Sequence, residues 1–168
     1  MDLLRIRKKP RDQTGATGRD IARALRAAYL ALHRETNACV APDGVTADQF
    51  VLLSALSDGD GVTQQDLVRR MSSDPNTVRA MLVRLEARGL VARERHPADG
   101  RAWRVLLTPD GRRLFKRLWA RSDPLRARLR TAFRPDEVTV LVALLHRVGA
   151  AVGPHNRRYT PLAQGARR

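Results

Sequence analysis

The chain contains one cysteine, Cys39, few aromatic residues, barely half as many acidic as basic side chains, and no long uninterrupted apolar run. A single cysteine excludes an intrachain disulfide framework and fits a reducing, cytoplasmic compartment. An aromatic content of 4% leaves no platform on which successive bases of a single strand could stack. The most apolar stretch, residues 138–152, is interrupted by Thr139, His146 and Arg147 and is too short for a hydrocarbon core, so no membrane partner is expected. Residues 1–10 carry basic side chains without an apolar run behind them, unlike a secretory signal. His33, His96, His146 and His155 each lack a Cys, His or carboxylate partner at ligand spacing, so no metal site is expected. Phosphate-cradling glycine loops and nucleophile elbows are also missing, which argues against an enzyme and against a bound cofactor.

What the chain has in excess is positive charge. Its 32 Lys and Arg against 17 Asp and Glu give a net charge of +15 and a pI near 11.6. That balance favours a polyanionic partner, and with so few aromatics the duplex is the better form of nucleic acid. A length of 168 residues is most simply one domain.

Residues 62–108 form the most informative unit. Thr63 is placed to cap a short helix that sets Leu67, Val68 and Met71 on one side. Ser72-Ser73-Asp74-Pro75 then supplies a turn, with Asp74 as cap and Pro75 at the first helical position. In the second helix Val78, Met81, Leu82 and Leu85 make one apolar stripe. The opposite side carries Asn76, Ala80, Val83 and Ala87, flanked by Thr77, Arg79 and Arg84. Small side chains bordered by hydrogen-bonding and cationic ones suit a helix lying in a major groove, where bulk would hold it off the base edges. Gly89 stops the helix, and residues 90–96 and 102–107 read as strands, with Asp99-Gly100 expected to turn the hairpin and Arg101 at its tip. Period-two alternation puts Trp103, Val105 and Leu107 on one face.

Helical periodicity appears on both sides of this unit. Ile21, Leu25, Ala28, Tyr29 and Leu32 predict a helix over 19–38, and Thr46 with Gln49 forms a capping box before Phe50, Leu53 and Leu56. Thr108-Pro109-Asp110 opens a helix bearing Leu114, Leu118, Leu125 and Leu129, with a kink or restart expected near Ser122-Asp123 because of Pro124. A last helix starts at Pro135 and shows Val138, Leu141, Val142, Leu145 and Val148. These terminal helices have more apolar surface than one small winged helix can cover. Residues 1–18 and 153–168 lack periodicity and are expected to be basic, disordered tails.

Over residues 20–150 the chain resembles the MarR family of winged-helix transcriptional regulators. The resemblance is carried by residues 77–91, with Arg84-Leu-Glu and Gly89-Leu-Val, and by Asp99-Gly-Arg101 followed by Leu107-Thr108-Pro-Asp-Gly111. It departs from many members in having Arg79 followed by Ala80, so no base preference carries over. The expected fold is mostly α: a winged helix-turn-helix (three-helix core plus β-hairpin wing) over about 46–108, within a domain spanning 19–152, flanked by dimerisation helices at 19–38 and 109–152. The resemblance implies a homodimer on a palindromic double-stranded DNA operator, acting as a repressor released by a ligand or an oxidant. Asn76, Thr77, Arg79 and Ala80 are expected to read bases, Gln64, Gln65 and Arg84 to touch phosphates, Arg101 to enter the minor groove and Asp99 to fix the wing tip. It further implies a small aromatic or phenolic effector, with His33, Phe50 and Trp119 as candidate wall residues, and Cys39 as a candidate oxidant sensor. Core packing explains Phe50 and Trp119 equally well, and Cys39 also reads as a small buried apolar residue. Two other readings stay open: an architectural DNA binder indifferent to sequence, and a winged helix that binds protein.

Overall fold

The computed structural model describes residues 15, 17–59, 61–96 and 99–153, with the side chains of 96–102 outside the described set. Local capping chemistry decides where most of its helices begin. Thr17 opens α1 (Gly18–Val40): its hydroxyl accepts the Asp20 N–H, and the Asp20 carboxylate accepts the Thr17 N–H at 2.9 Å. A 3-10 turn, Ala41–Asp43, ends at Gly44, whose φ of 68° suits a residue without Cβ. Thr46 and Gln49 form the same reciprocal box before α2 (Ala47–Ser57). Thr63 and Asp66 do so between β1 (Val62–Thr63) and α3 (Gln64–Met71). Helix α4 (Pro75–Ala87) starts on Asp74, whose carboxylate accepts the Thr77 N–H at 2.9 Å. Strands β2 (Val91–His96) and β3 (Asp99–Leu107) follow, then α5 (Pro109–Arg121), α6 (Asp123–Thr131) and α7 (Pro135–Val152). The restart expected from Pro124 occurs at Ser122, between α5 and α6.

The core gathers the apolar faces that periodicity assigned. Leu52, Leu53 and Leu56 of α2, Leu67 of α3, Val78, Leu82 and Leu85 of α4, Val105 and Leu107 of β3, and Leu114 and Leu118 of α5 belong to one buried cluster. The three strands lie in the order β1-β3-β2, all antiparallel, with Val62 opposite Val105 and Val91 opposite Leu107. The junction between hairpin and α5 is tight. Thr108 donates its hydroxyl to the Gly89 carbonyl at 2.7 Å and accepts the Gly111 N–H at 3.0 Å, while a Cβ on Gly111 would stand 1.9 Å from the Leu90 oxygen. The fold is therefore a mostly helical winged helix-turn-helix with long helices attached at each end.

Those end helices remain largely outside the core. Helix α7 contributes no buried residue, and α1 contributes only Val40. Ile21, Tyr29 and Leu32 of α1, Leu129 of α6 and Val140, Val142, Leu144 and Leu145 of α7 are all exposed.

The hairpin corrects one expectation. Asp99-Gly100 does not make the turn: Asp99 already lies in β3, paired with His96, and residues 97–98 lie outside the described residues. Arg95 pairs with Trp103, and the register shifts between Arg95 and His96, leaving Gly100, Arg101 and Ala102 in a bulge on β3. The pairing of Val91 with Leu107 inside the core fixes the register further down, and the preference of the Asp-Gly dipeptide for a tight turn yields to it.

Candidate nucleic-acid interface

Helix α4 is buried along one side and open along the other. Val78, Met81, Leu82 and Leu85 are buried, whereas Asn76, Thr77, Arg79, Ala80, Val83 and Arg84 are exposed. Burial of the first set fixes the rotation of the helix about its axis, which is what presents the second set together. The cap on Asp74 keeps the N-terminal turn ordered. Hydrogen bonds from the Thr77 hydroxyl and then its N–H hold the Asp74 carboxyl below the usual carboxylate range, so it stays ionised as a cap. At α3, burial raises the Asp66 carboxyl, but hydrogen bonds from Thr63 and the nearby Arg69 outweigh it and leave the net shift downward.

Cations around the open face fall into two groups. Arg69 pairs with Asp66, Arg104 donates to Glu94 at 2.9 Å, and Arg93 Nε lies 3.3 Å from Glu86 in an ion pair without hydrogen-bond geometry. Arg70 donates to the Ala55 carbonyl at 3.0 Å, and Arg88 is bound to carbonyls of the 3-10 turn. Arg79 and Arg84 have no such partner among the described residues. An unpaired guanidinium gives up no internal bond when it meets a phosphate or a guanine edge.

The first turn of α3 places Gln64 half-buried and Gln65 exposed beside this face. On the wing, the Arg95 guanidinium lies 4.7 Å from the ring centre of the half-exposed Trp103, a contact that periodicity did not reveal. The backbone of Asp99 and Arg101 lies at the outer end of the hairpin, and their side chains are outside the described residues.

A cleft of 360 Å³ opens beside α4. It is lined by His33 and Asn37 of α1, Thr46 with Asp48 and Gln49 of the α2 start, and Thr77, Ala80, Met81 and Arg84 of α4. Its polar wall is ordered: His33 Nε2 is 3.6 Å from Asp48, His33 Nδ1 is 3.2 Å from the Asn37 amide nitrogen, and Asn37 Oδ1 accepts the Ala47 N–H at 2.6 Å. Of the expected effector residues, only His33 reaches it. Phe50 is packed in the core with Phe115 at 5.9 Å, and Trp119, covered by Arg126 at 3.7 Å, completes that aromatic group. Asn37, Thr46, Asp48 and Gln49 were not among the sequence candidates: Thr46 and Gln49 read as a capping box, and Asn37 and Asp48 were not singled out. The available signal was the i, i+4 spacing of Tyr29, His33 and Asn37 along α1. Cys39 is half-buried against the core at the end of the same helix.

Comparisons with known proteins identify the family and the fold. The MarR family model matches residues 43–102, the segment holding α2 to the wing. The HTH-type transcriptional repressor Rv2887 of Mycobacterium tuberculosis is 31% identical over 119 residues, covering 71% of this chain and 86% of that protein. Among solved structures, Bordetella bronchiseptica BpsR, described in terms of regulation of its DNA binding by 6-hydroxynicotinic acid, is 32% identical with a TM-score of 0.67, covering 77% of this chain and 98% of that one. A mutant of Escherichia coli MarR complexed with operator DNA is 28% identical with a TM-score of 0.68, covering 76% and 92%. No helix among the described residues is long and apolar enough to cross a membrane. The chain belongs to the MarR family of DNA-binding, winged helix-turn-helix transcriptional regulators.

Proposed function

We propose that this regulator is a homodimeric repressor of a palindromic operator, released when a small molecule enters the cleft beside α4. The observation that carries the DNA part is the division of α4: a buried stripe that sets its rotation, and an open face on which Arg79 and Arg84 stand unpaired among the described residues. In this reading Asn76, Thr77, Arg79 and Ala80 face bases, Gln64, Gln65 and Arg84 face phosphates, and Arg101 on the wing bulge enters the minor groove with Asp99 stabilising that end. Dimerisation follows from the bare apolar faces of α1 and α7, which a two-fold partner would cover while setting two α4 helices toward successive major grooves.

Release by a ligand is supported by shared residues. Thr77, Ala80 and Arg84 line the cleft and also belong to the proposed reading face, so an occupant and a duplex would compete for them. A planar aromatic acid suits the lining, with Arg84 for its carboxylate, Met81 for its ring and the His33–Asn37 wall for a hydroxyl. The half-buried position of Cys39 favours this trigger over an oxidant. Selection of the preferred duplex from random DNA, with sedimentation of the complex, tests the proposal: two chains on a palindrome with half-sites about 10 base pairs apart are expected. One chain on a single half-site would contradict it.

A further inference from the structure

The C-terminal end of α4 is held at two points that face different parts of the molecule. Thr108 grips Gly89, just beyond the helix, and ties it to the start of α5. Arg88, at the C-cap, reaches the other way and donates to the Gly44 carbonyl at 2.6 Å and the Asp43 carbonyl at 2.8 Å. Gly44 sits in the left-handed region with no side chain, and the Arg88 guanidinium lies across it, 3.7 Å from where a Cβ would be. The Asp43 carboxylate, 15% exposed, in turn receives Arg117 Nη2 at 3.3 Å and Arg121 Nη1, both from α5. A continuous path of charge-assisted bonds therefore runs from the reading helix through the turn to the long helix α5.

We infer that Asp43 is a positioning residue for DNA reading: it locks the turn to α5 and so fixes, through Arg88, the direction in which α4 points. The lever is long enough to matter. Helix α4 has 13 residues, so it measures about 20 Å, and a tilt of roughly 10° about its C-terminal end would carry its N-terminus about 3 Å, close to one base step. The buried stripe from Val78 to Leu85 and the Thr108 anchor set the rotation and position of α4, and the Arg88 anchor adds a restraint on its tilt. The bonds are in series, so breaking either link loosens that restraint and breaking both adds nothing. Arg117 and Arg121 are both well exposed, so water screens their pairs with Asp43 and they contribute little to folding stability, which separates the directional role from a structural one.

The inference rests on the two-fold reading proposed above, and the experiment separates the two. The full chain and its Asp43→Asn and Arg88→Lys variants are titrated against palindromes whose half-site centres are nine, ten and eleven base pairs apart. Each added base pair rotates one half-site by roughly 35° relative to the other. The wild type should lose affinity about tenfold for a one-pair change, comparable with a mismatched base pair. Both variants should melt like the wild type yet discriminate by less than about threefold, and the double variant should match either single one. Asn at position 43 keeps the shape and loses the charge, and Lys at 88 keeps the charge and loses the fork that spans two carbonyls. An unchanged spacing ratio in Asp43→Asn would overturn the inference; if that variant does not fold, the ratio in Arg88→Lys decides it. A wild type indifferent to spacing would overturn the two-fold reading and the inference with it.

Discussion

Arg79 and Arg84 have no hydrogen-bond or ion-pair partner among the described residues, and binding energy should concentrate there. Replacing Arg79 by Ala should cost about 1–3 kcal/mol on the preferred duplex and much less on random DNA. Equal losses on both, measured by anisotropy at one salt concentration, would make Arg79 a phosphate contact. Ala80→Leu should weaken specific binding through bulk alone, and unchanged affinity would remove Ala80 from the interface. Gly111 makes a different demand: a methyl group there meets the Leu90 carbonyl, so Gly111→Ala should destabilise the fold by about 1–3 kcal/mol or more, read from a denaturant midpoint. A midpoint equal to wild type would mean that the junction relaxes freely. At this scale the sequence was readable where one residue acts through its own backbone. Thr63, Asp74 and Thr108 announced their caps because a hydroxyl or carboxylate three residues before an N–H has one obvious use. The Asn37 amide was not readable, since its partner, Ala47 N–H, lies across a turn.

Elements were legible to the extent that one buried face defined them. The α4 stripe predicted its burial residue by residue because rotation about a helix axis leaves no freedom once four positions are apolar. The wing was harder, because register is settled by packing in its inner half and the tip follows. Arg101 therefore lies on a bulge rather than at the turn. If the wing works in the minor groove, Arg101→Ala should weaken binding more on A·T-flanked sites than on G·C-flanked ones and lower the salt slope by about 1. Equal losses on both flanks would assign it to phosphate. The capped helices also set an acid limit. The Asp20, Asp66 and Asp74 carboxyls all lie below their ordinary value of 3.8 in the folded chain. A depressed folded pKa contributes stability that is complete above the unfolded value and is lost as pH falls through the folded one. Melting temperature should therefore hold down to about pH 5 and decline below pH 4. Asp74→Asn keeps a capping side chain that does not titrate, so its decline should be shallower. An identical decline would show that Asp74 takes no part.

For the molecule as a whole, the apolar surplus of the end helices was visible in the sequence, but what covers it was not, since a covering partner leaves no mark in one chain's periodicity. The structure sharpens the point: no residue of α7 is fully buried, and Val140, Val142, Leu144 and Leu145 are exposed. Leu145→Glu should hold the protein monomeric in sedimentation at micromolar concentration and abolish binding to the palindrome while leaving the winged helix folded. A dimer that survives this change would move the interface elsewhere. The cleft proposed for the effector was not legible in the sequence: its walls come from α1, α2 and α4, and His33 was singled out through family resemblance rather than through its neighbours. The central claim, that this chain reads sequence through α4, is tested most directly by competition between its selected palindrome and random duplex of equal length at one physiological salt concentration. A preference of roughly 10³-fold or more is predicted; a ratio near one would contradict it and leave a protein that binds duplex DNA by charge alone.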